Sequence, residues 1–272
     1  MEVLPTVPTP DRPLAVVFGA GPGIGLAAAR RFARGGFRVA ALARPGDPLA
    51  QFQADLEAAG PGPHRVLGAD LAREGALAPA AATIQAWGGW PELLLYNASA
   101  GAQGPAAELD PGRLEADLRV NVGAALAAVQ WALPAMRGRG AGTLLFTGGG
   151  LALEPKPGLA SASLGKAALR SLALSLGAEL APAGIHAATL TIRGFVQANL
   201  EGGTACSLRS RCSPFDPHEV PGQSRGTSSP TPLTPDTVAE ALWSLFSQPR
   251  SRWIWEAMLP DGLRPPDGNR VE

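Results

Sequence analysis

The hydrophobic pattern of this chain is a series of short apolar runs separated by helical-period stretches. Leu14–Phe18 is such a run, and Leu26 to Arg34 follows at helical spacing before stopping at Gly35-Gly36. Phe37–Ala43 reads as a second strand. Pro48 to Ala59 reads as a helix, with Leu49, Phe52 and Leu56 on one face. The alternation continues with strand Arg65–Gly68, helix Ala72–Trp87 and strand Glu92–Tyr96. It goes on through a long helix Pro111–Met136, strand Gly142–Thr147, helix Ala160–Leu180 and strand Ile185–Ile192. Leu114, Leu118, Val122, Ala125, Val129 and Met136 share one face of the first long helix. Thr234-Pro235-Asp236 opens a further helix to about Gln248, with an N-cap followed by Pro at the first position, and Arg252–Leu259 is the last strand.

The strands lack polar alternation, so both faces of the sheet are expected to be covered. Alternating strands and helices then predict one α/β domain with a doubly wound parallel sheet, over about residues 13–260. Residues 1–12 read as a flexible arm and 261–272 as a loose tail. From 193 to 233 the pattern fails in a stretch rich in Ser, Pro, Gly and Arg, too long for an ordinary connection.

The chain has 272 residues, 46% hydrophobic and 17% charged, which suits a sizeable core. Basic and acidic residues balance at 23 each, so no broad field favours nucleic acid or an anionic membrane. A small molecule, or another copy of the chain, is the expected partner. Cys206 and Cys212 lack nearby ligands for zinc except His218, and read as reduced loop thiols. With no signal-like apolar stretch at the start and no run near ~20 apolar residues, a cytoplasmic, soluble protein is expected.

Directly after the first run comes Gly19-Ala-Gly21-Pro-Gly23-Ile24-Gly25, opening the first helix. A glycine turn between strand and helix offers backbone N–H groups and the helix dipole to a phosphate. The spacing resembles the cofactor turn of the short-chain dehydrogenase/reductase family, and the other motifs follow in the family's order. Asp70-Leu71 closes the third strand, as the family's adenine-contacting aspartate does. Tyr96-Asn97-Ala98-Ser99 resembles the Asn-Asn-Ala-Gly motif after the fourth strand. Val120-Asn121-Val122 resembles the segment carrying the active-site asparagine, and Lys166 begins the Lys-Ala-Ala-Leu run that follows the family's Tyr-x-x-x-Lys. The resemblance spans roughly residues 13 to 192 and implies a Rossmann-type fold, a nicotinamide cofactor and hydride transfer.

The second strand ends Leu42-Ala43-Arg44. A carboxylate there would bind the ribose hydroxyls of NAD(H), whereas Arg44 can pair bidentately with the 2′-phosphate of NADP(H); the other reading is a solvated surface arginine. Asp47 lies three residues further, too late for the carboxylate's part. NADP(H) is therefore expected ahead of NAD(H). Asn121 falls on the buried helix face, either as a satisfied core amide or as the family's bend that holds a relay water. Only two lysines occur, Lys156 and Lys166, among many arginines. In the family the lysine at the place of Lys166 holds the nicotinamide ribose and lowers the tyrosine's pKa.

Two family features are missing. The residue four before Lys166 is Ala162, and Tyr96, the only tyrosine, belongs to the fourth strand. The enoyl-reductase spacing fails too, since Leu159 stands seven before the lysine. The carbonyl-polarising serine should fall in Thr147-Gly148-Gly149-Gly150, at about Gly149, and Pro-Gly after the sixth strand reads Arg193-Gly194. A missing acid costs about 10²–10⁴-fold and a missing oxyanion donor about 10²–10³-fold. Lys166 through a water, Ser161 or Ser163 beside Ala162, and Thr147 are the available substitutes. His64, His186 and His218 stand away from the motifs.

Three readings remain. One is an atypical NADP(H)-dependent oxidoreductase in which Lys166, Asn121 and Ser163 or a bound water handle protons. Another is a different chemistry, such as reduction of an activated C=C or C=N bond, which needs less help from an acid. The third is a catalytically silent NADP(H)-binding or assembly protein. The resemblance also implies a homodimer or homotetramer through helices 111–136 and 160–180, and a substrate lid at 193–233.

Overall fold

The computed structural model describes residues 12–197 and 233–260. The N-terminal arm other than Arg12, most of segment 193–233, the tail 261–272, both cysteines and His218 lie outside the described residues.

Seven strands form one parallel sheet in the order β3-β2-β1-β4-β5-β6-β7. They are β1 (Leu14–Phe18), β2 (Arg38–Ala43), β3 (Arg65–Gly68), β4 (Leu93–Tyr96), β5 (Gly142–Thr147), β6 (Ile185–Ile192) and β7 (Glu256–Leu259). Successive side chains of a strand face opposite sides, and here both sides are apolar. Ala15 and Val17 join a core with Phe32 of α1 (Ile24–Arg34), Phe52 of α2 (Leu49–Ala59) and Leu242 of α7 (Pro235–Phe246). Leu14, Val16 and Phe18 join the opposite core, with Ile84 of α3 (Leu77–Gly88), Val129 of α5 (Ala124–Arg139) and Leu169 of α6 (Ala160–Leu180). The predicted doubly wound fold is therefore observed.

Strand order reverses between β1 and β4. In open parallel sheets the crevice at the carboxyl ends of such neighbours is where ligands bind. The glycine turn, Asn97 and Thr147 all stand at that edge.

Three elements differ from the sequence pattern. The helix expected from Ala72 starts at Leu77, because the Asp70 carboxylate accepts from the Ala72 N–H at 3.1 Å and Gly75 takes φ +73°. These hold residues 70–76 in a turn. The long helix over 111–136 divides into α4 (Pro111–Leu118), one wide π turn (Arg119–Gly123) and α5. Such turns are frequent at functional sites. The last strand begins only at Glu256, since Arg250–Arg252 form a separate tight turn and Trp253 stacks on His186.

Candidate functional site

The glycine turn contains two kinds of glycine. A Cβ on Gly19 would lie 2.4 Å from the Ala98 nitrogen, and one on Gly25 would lie 2.1 Å from the Gly19 carbonyl oxygen. Gly19 also has φ +85°, a region that side chains disfavour. These two let the turn press against β4 and fold onto α1. Gly21 and Gly23 instead face open space. Gly23 caps α1 without a side-chain partner, and the first turn holds no acidic residue. The helix dipole thus points into an unscreened opening bounded by Gly21, Gly23, Ile24 and Gly25, which fits a phosphate. The residues present fit a dinucleotide here.

A line of hydrogen bonds runs from this turn across the sheet. Asn97 Nδ2 donates to the Gly19 carbonyl at 2.8 Å, and Asn97 Oδ1 accepts from Thr147 Oγ1 at 2.9 Å. The Thr147 carbonyl accepts from Lys166 Nζ at 2.9 Å. Ends of β1, β4 and β5 and the first turns of α6 are joined in this way. Desolvation holds the Lys166 ammonium down to about 8. The Thr147 hydroxyl proton lies on Asn97.

Asn121 sits in the π turn, buried, as the sequence pattern implied. Its amide grips one residue of the loop after β4. Oδ1 accepts from the Ala100 N–H at 2.9 Å and Nδ2 donates to the Ala100 carbonyl at 2.7 Å. A Cβ on Gly165 would lie 2.2 Å from Asn121 Nδ2, so glycine at this point lets α6 close on the amide. The two serines flanking Ala162 are both committed. Ser163 Oγ donates to the Leu159 carbonyl at 2.9 Å, one turn back in its own helix. Ser161 Oγ donates to Asp117 at 2.6 Å. Ser163 and Lys166 stand three residues apart on α6, with the Ser163 hydroxyl proton on a backbone carbonyl and Lys166 Nζ on that of Thr147. A Cβ on Gly149 would touch the Lys166 stem at 3.7 Å.

Asp117 escaped the sequence reading. It is buried on α4, where its carboxylate accepts from Ser161, from the Ala102 N–H at 2.7 Å and from Arg113 Nε at 3.2 Å. Its only local signal was a charge on the Leu114–Leu118 face with Arg113 four residues earlier. Tyr96 is buried in β4, donates to the Val120 carbonyl, and burial raises its pKa.

On the adenine side, Arg44 leaves β2 exposed and ion-paired to Asp47 at 3.3 Å. Asp70 is half-buried and caps its own turn, while Leu71 is buried. Ala98 backs the glycine turn. His64 is structural, accepting from the Val39 N–H at Nδ1, and His186 lies buried within β6 with Nε2 at 3.0 Å from the Ile254 carbonyl. Among the described residues no group of three or more His, Cys, Asp or Glu could hold a metal, and no helix is long and apolar enough to cross a membrane.

Comparison with known proteins gives the same picture. The family model described as short chain dehydrogenase matches residues 13–202. Oxidoreductase asL5 of Sarocladium schorii is 31% identical over 174 residues, covering 63% of this chain and 68% of that protein. A metagenomic short-chain oxidoreductase solved in complex with NADP is 25% identical with a TM-score of 0.72, over 93% of this chain and 97% of that one. A short-chain dehydrogenase from Rhodopseudomonas palustris is 27% identical with a TM-score of 0.69, over 94% of this chain and 100% of that one. By its sequence motifs, its sheet order and these matches, the chain belongs to the short chain dehydrogenase family.

Proposed function

We propose that this chain is an NADP(H)-dependent oxidoreductase of the family with an atypical active site, in which Lys166 is the proton donor. The observation that carries this reading is the hydrogen-bonded line from Gly19 through Asn97 and Thr147 to Lys166, which joins an open phosphate cradle to a desolvated ammonium. A bound nicotinamide nucleotide supplies or accepts the hydride. The α1 N-terminus with Gly19, Gly21, Gly23, Ile24 and Gly25 holds the pyrophosphate, and Arg44 pairs with the 2′-phosphate. Asp70 and Leu71 would flank the adenine, and Asn97 and Ala98 would back the nicotinamide half. Lys166 Nζ holds the ribose hydroxyls and delivers a proton to the developing alkoxide through a water. Asn121 orients the loop at Ala100 beside it. Ala162 and Gly149 leave the tyrosine's and serine's places empty of acid and oxyanion donor, so an activated substrate is favoured. Leu126 on α5 and Leu164 on α6 stand exposed, which suits pairing of those helices in a homodimer or homotetramer.

Calorimetry of NADPH and NADH on wild type and Arg44→Ala tests the cofactor reading. Micromolar NADPH binding, with its advantage over NADH lost in Arg44→Ala, supports it; binding of neither nucleotide overturns it. A screen of NADPH consumption over ketones, aldehydes, enones and imines then tests turnover, with Lys166→Ala as the control. The absence of acid at Ala162 and donor at Gly149 favours a second reading, a silent NADP(H)-binding or assembly protein. Nucleotide binding without turnover in that screen would establish it.

A further inference from the structure

The loop after β2 contains a carboxylate that the cofactor reading does not use. Arg44 and Asp47 close a tight turn: the Asp47 N–H donates to the Arg44 carbonyl at 3.0 Å. The Asp47 carboxylate closes it a second time, with Oδ2 accepting from the Arg44 backbone N–H at 3.0 Å. The same carboxylate takes the Arg44 guanidinium, with Nη2 at 3.3 Å from Oδ1 and Nε at 3.5 Å from Oδ2. Pro45 inside the turn and Pro48 directly after it restrict the backbone. The two partners differ in freedom. The Asp47 side chain is 7% exposed and anchored to backbone, while that of Arg44 is 56% exposed. Gly19 and Ala20 both donate to the Leu42 carbonyl, at 2.9 and 2.8 Å, so this loop borders the glycine turn.

Resting on the NADP(H) reading above, we propose that Asp47 is a specificity-determining residue that restrains the preference for NADP(H). An anchored carboxylate stays in place when a 2′-phosphate arrives, so Arg44 must serve two anions at once. The phosphate meets a fixed like charge within the reach of the arginine fork, and the fork leaves a partner it already holds. NAD(H) brings no phosphate and meets neither cost. The loop thus works as a balance with Arg44 on one arm and Asp47 on the other, and the chain discriminates between the nucleotides less than Arg44 alone would.

Asp47→Asn tests this, because Asn Oδ1 keeps the acceptor for the Arg44 N–H while the charge is removed. The readout is calorimetric affinity for NADPH and NADH on full-length protein, with adenosine 2′,5′-bisphosphate and 5′-AMP as probes of the phosphate alone. NADPH and the bisphosphate are expected to bind about five- to tenfold tighter to Asp47→Asn, and the gain shrinks as salt is raised. NADH and 5′-AMP are expected to hold or weaken. In an Arg44→Ala background the same substitution is expected to give a smaller gain for NADPH, because no guanidinium is left for the carboxylate to hold. A NADPH-to-NADH affinity ratio unchanged within twofold in Asp47→Asn, with both nucleotides still binding, overturns the proposal and leaves the cofactor reading standing. Failure of wild type to bind either nucleotide or either fragment overturns both.

Discussion

Lys166 combines a residue choice visible in the sequence with a property that only its surroundings confer. The chain writes arginine almost everywhere, so a lysine beside the Ala-Ala-Leu run stands out by eye. Its lowered pKa, about 8, comes from desolvation where α6 packs over the end of β5. The direction fixes the pH response. The ammonium is present below about 8 and is lost as pH rises through it, so a reduction that draws its proton from Lys166 slows on the alkaline side. We expect kcat/KM for NADPH-driven reduction to fall with an apparent pKa near 8. Lys166→Arg, which stays charged over this range, is expected to flatten the profile at lower activity. A profile that keeps its inflection in Lys166→Arg would assign the titration to another group. Asn121 shows the opposite balance. Its buried side was readable from helical spacing, but its partner, the backbone of Ala100, was not.

At the scale of elements, α6 is tied to the sheet edge by a buried ion pair that spacing gave no hint of. Arg170 donates to Glu256 through Nε at 2.7 Å and Nη2 at 2.5 Å, and Thr191 Oγ1 adds a donor at 2.7 Å. Glu256 is wholly buried, and its hydrogen bond and charge raise the Arg170 pKa. Removing Arg170 strands a carboxylate inside the fold. Arg170→Ala is therefore expected to destabilise the protein by about 3–5 kcal/mol in urea unfolding, and Glu256→Gln by less, since the amide oxygen can still accept from Thr191. Equal losses in the two variants would show that packing rather than charge decides. The same scale explains why the helix over 111–136 read as continuous. Hydrophobic spacing reports which face is buried, whereas the π turn answers to the grip of Asn121 on a loop some twenty residues away.

At the scale of the whole molecule, the site exists only where the ends of β1, β4, β5 and the start of α6 converge. Gly149 and Ala162, the two positions on which the proposed atypical site turns, meet there. Gly149 has room for a hydroxyl, with its Cβ direction at ordinary contact distance from the Lys166 stem. Ala162 packs against Gly101, whose own Cβ would lie 2.8 Å from that of Ala162, so the loop after β4 lies close to this position. Installing both groups, as Gly149→Ser with Ala162→Tyr, is expected to raise NADPH-dependent ketone reduction by about 10²–10⁴-fold, the range a positioned acid supplies. Steady-state absorbance of NADPH measures it. A doubly substituted protein that folds and binds NADPH yet shows no gain would mean that the loop at Gly101 blocks the phenol, and that the wild-type site is built for different chemistry.

The sequence by itself determined the elements, their alternation and their class. Apolar runs, helical spacing and the Thr234 cap act within a few residues of themselves. It also determined the ordered motifs that mark the family and the absence of tyrosine near Lys166. Only the tertiary structure decided what those residues do to one another. Asn97 joins Gly19 to Thr147 across 50 residues or more, Asp117 gathers a loop and a second helix, and Asp47 turns back on Arg44. Ser161, Ser163 and Thr147 are alike as hydroxyls in the sequence, and only the fold gives each its own acceptor. Hydrogen-bond partners, burial and the pKa shifts that follow are properties of neighbours in space, set when the sheet brings its strand ends together.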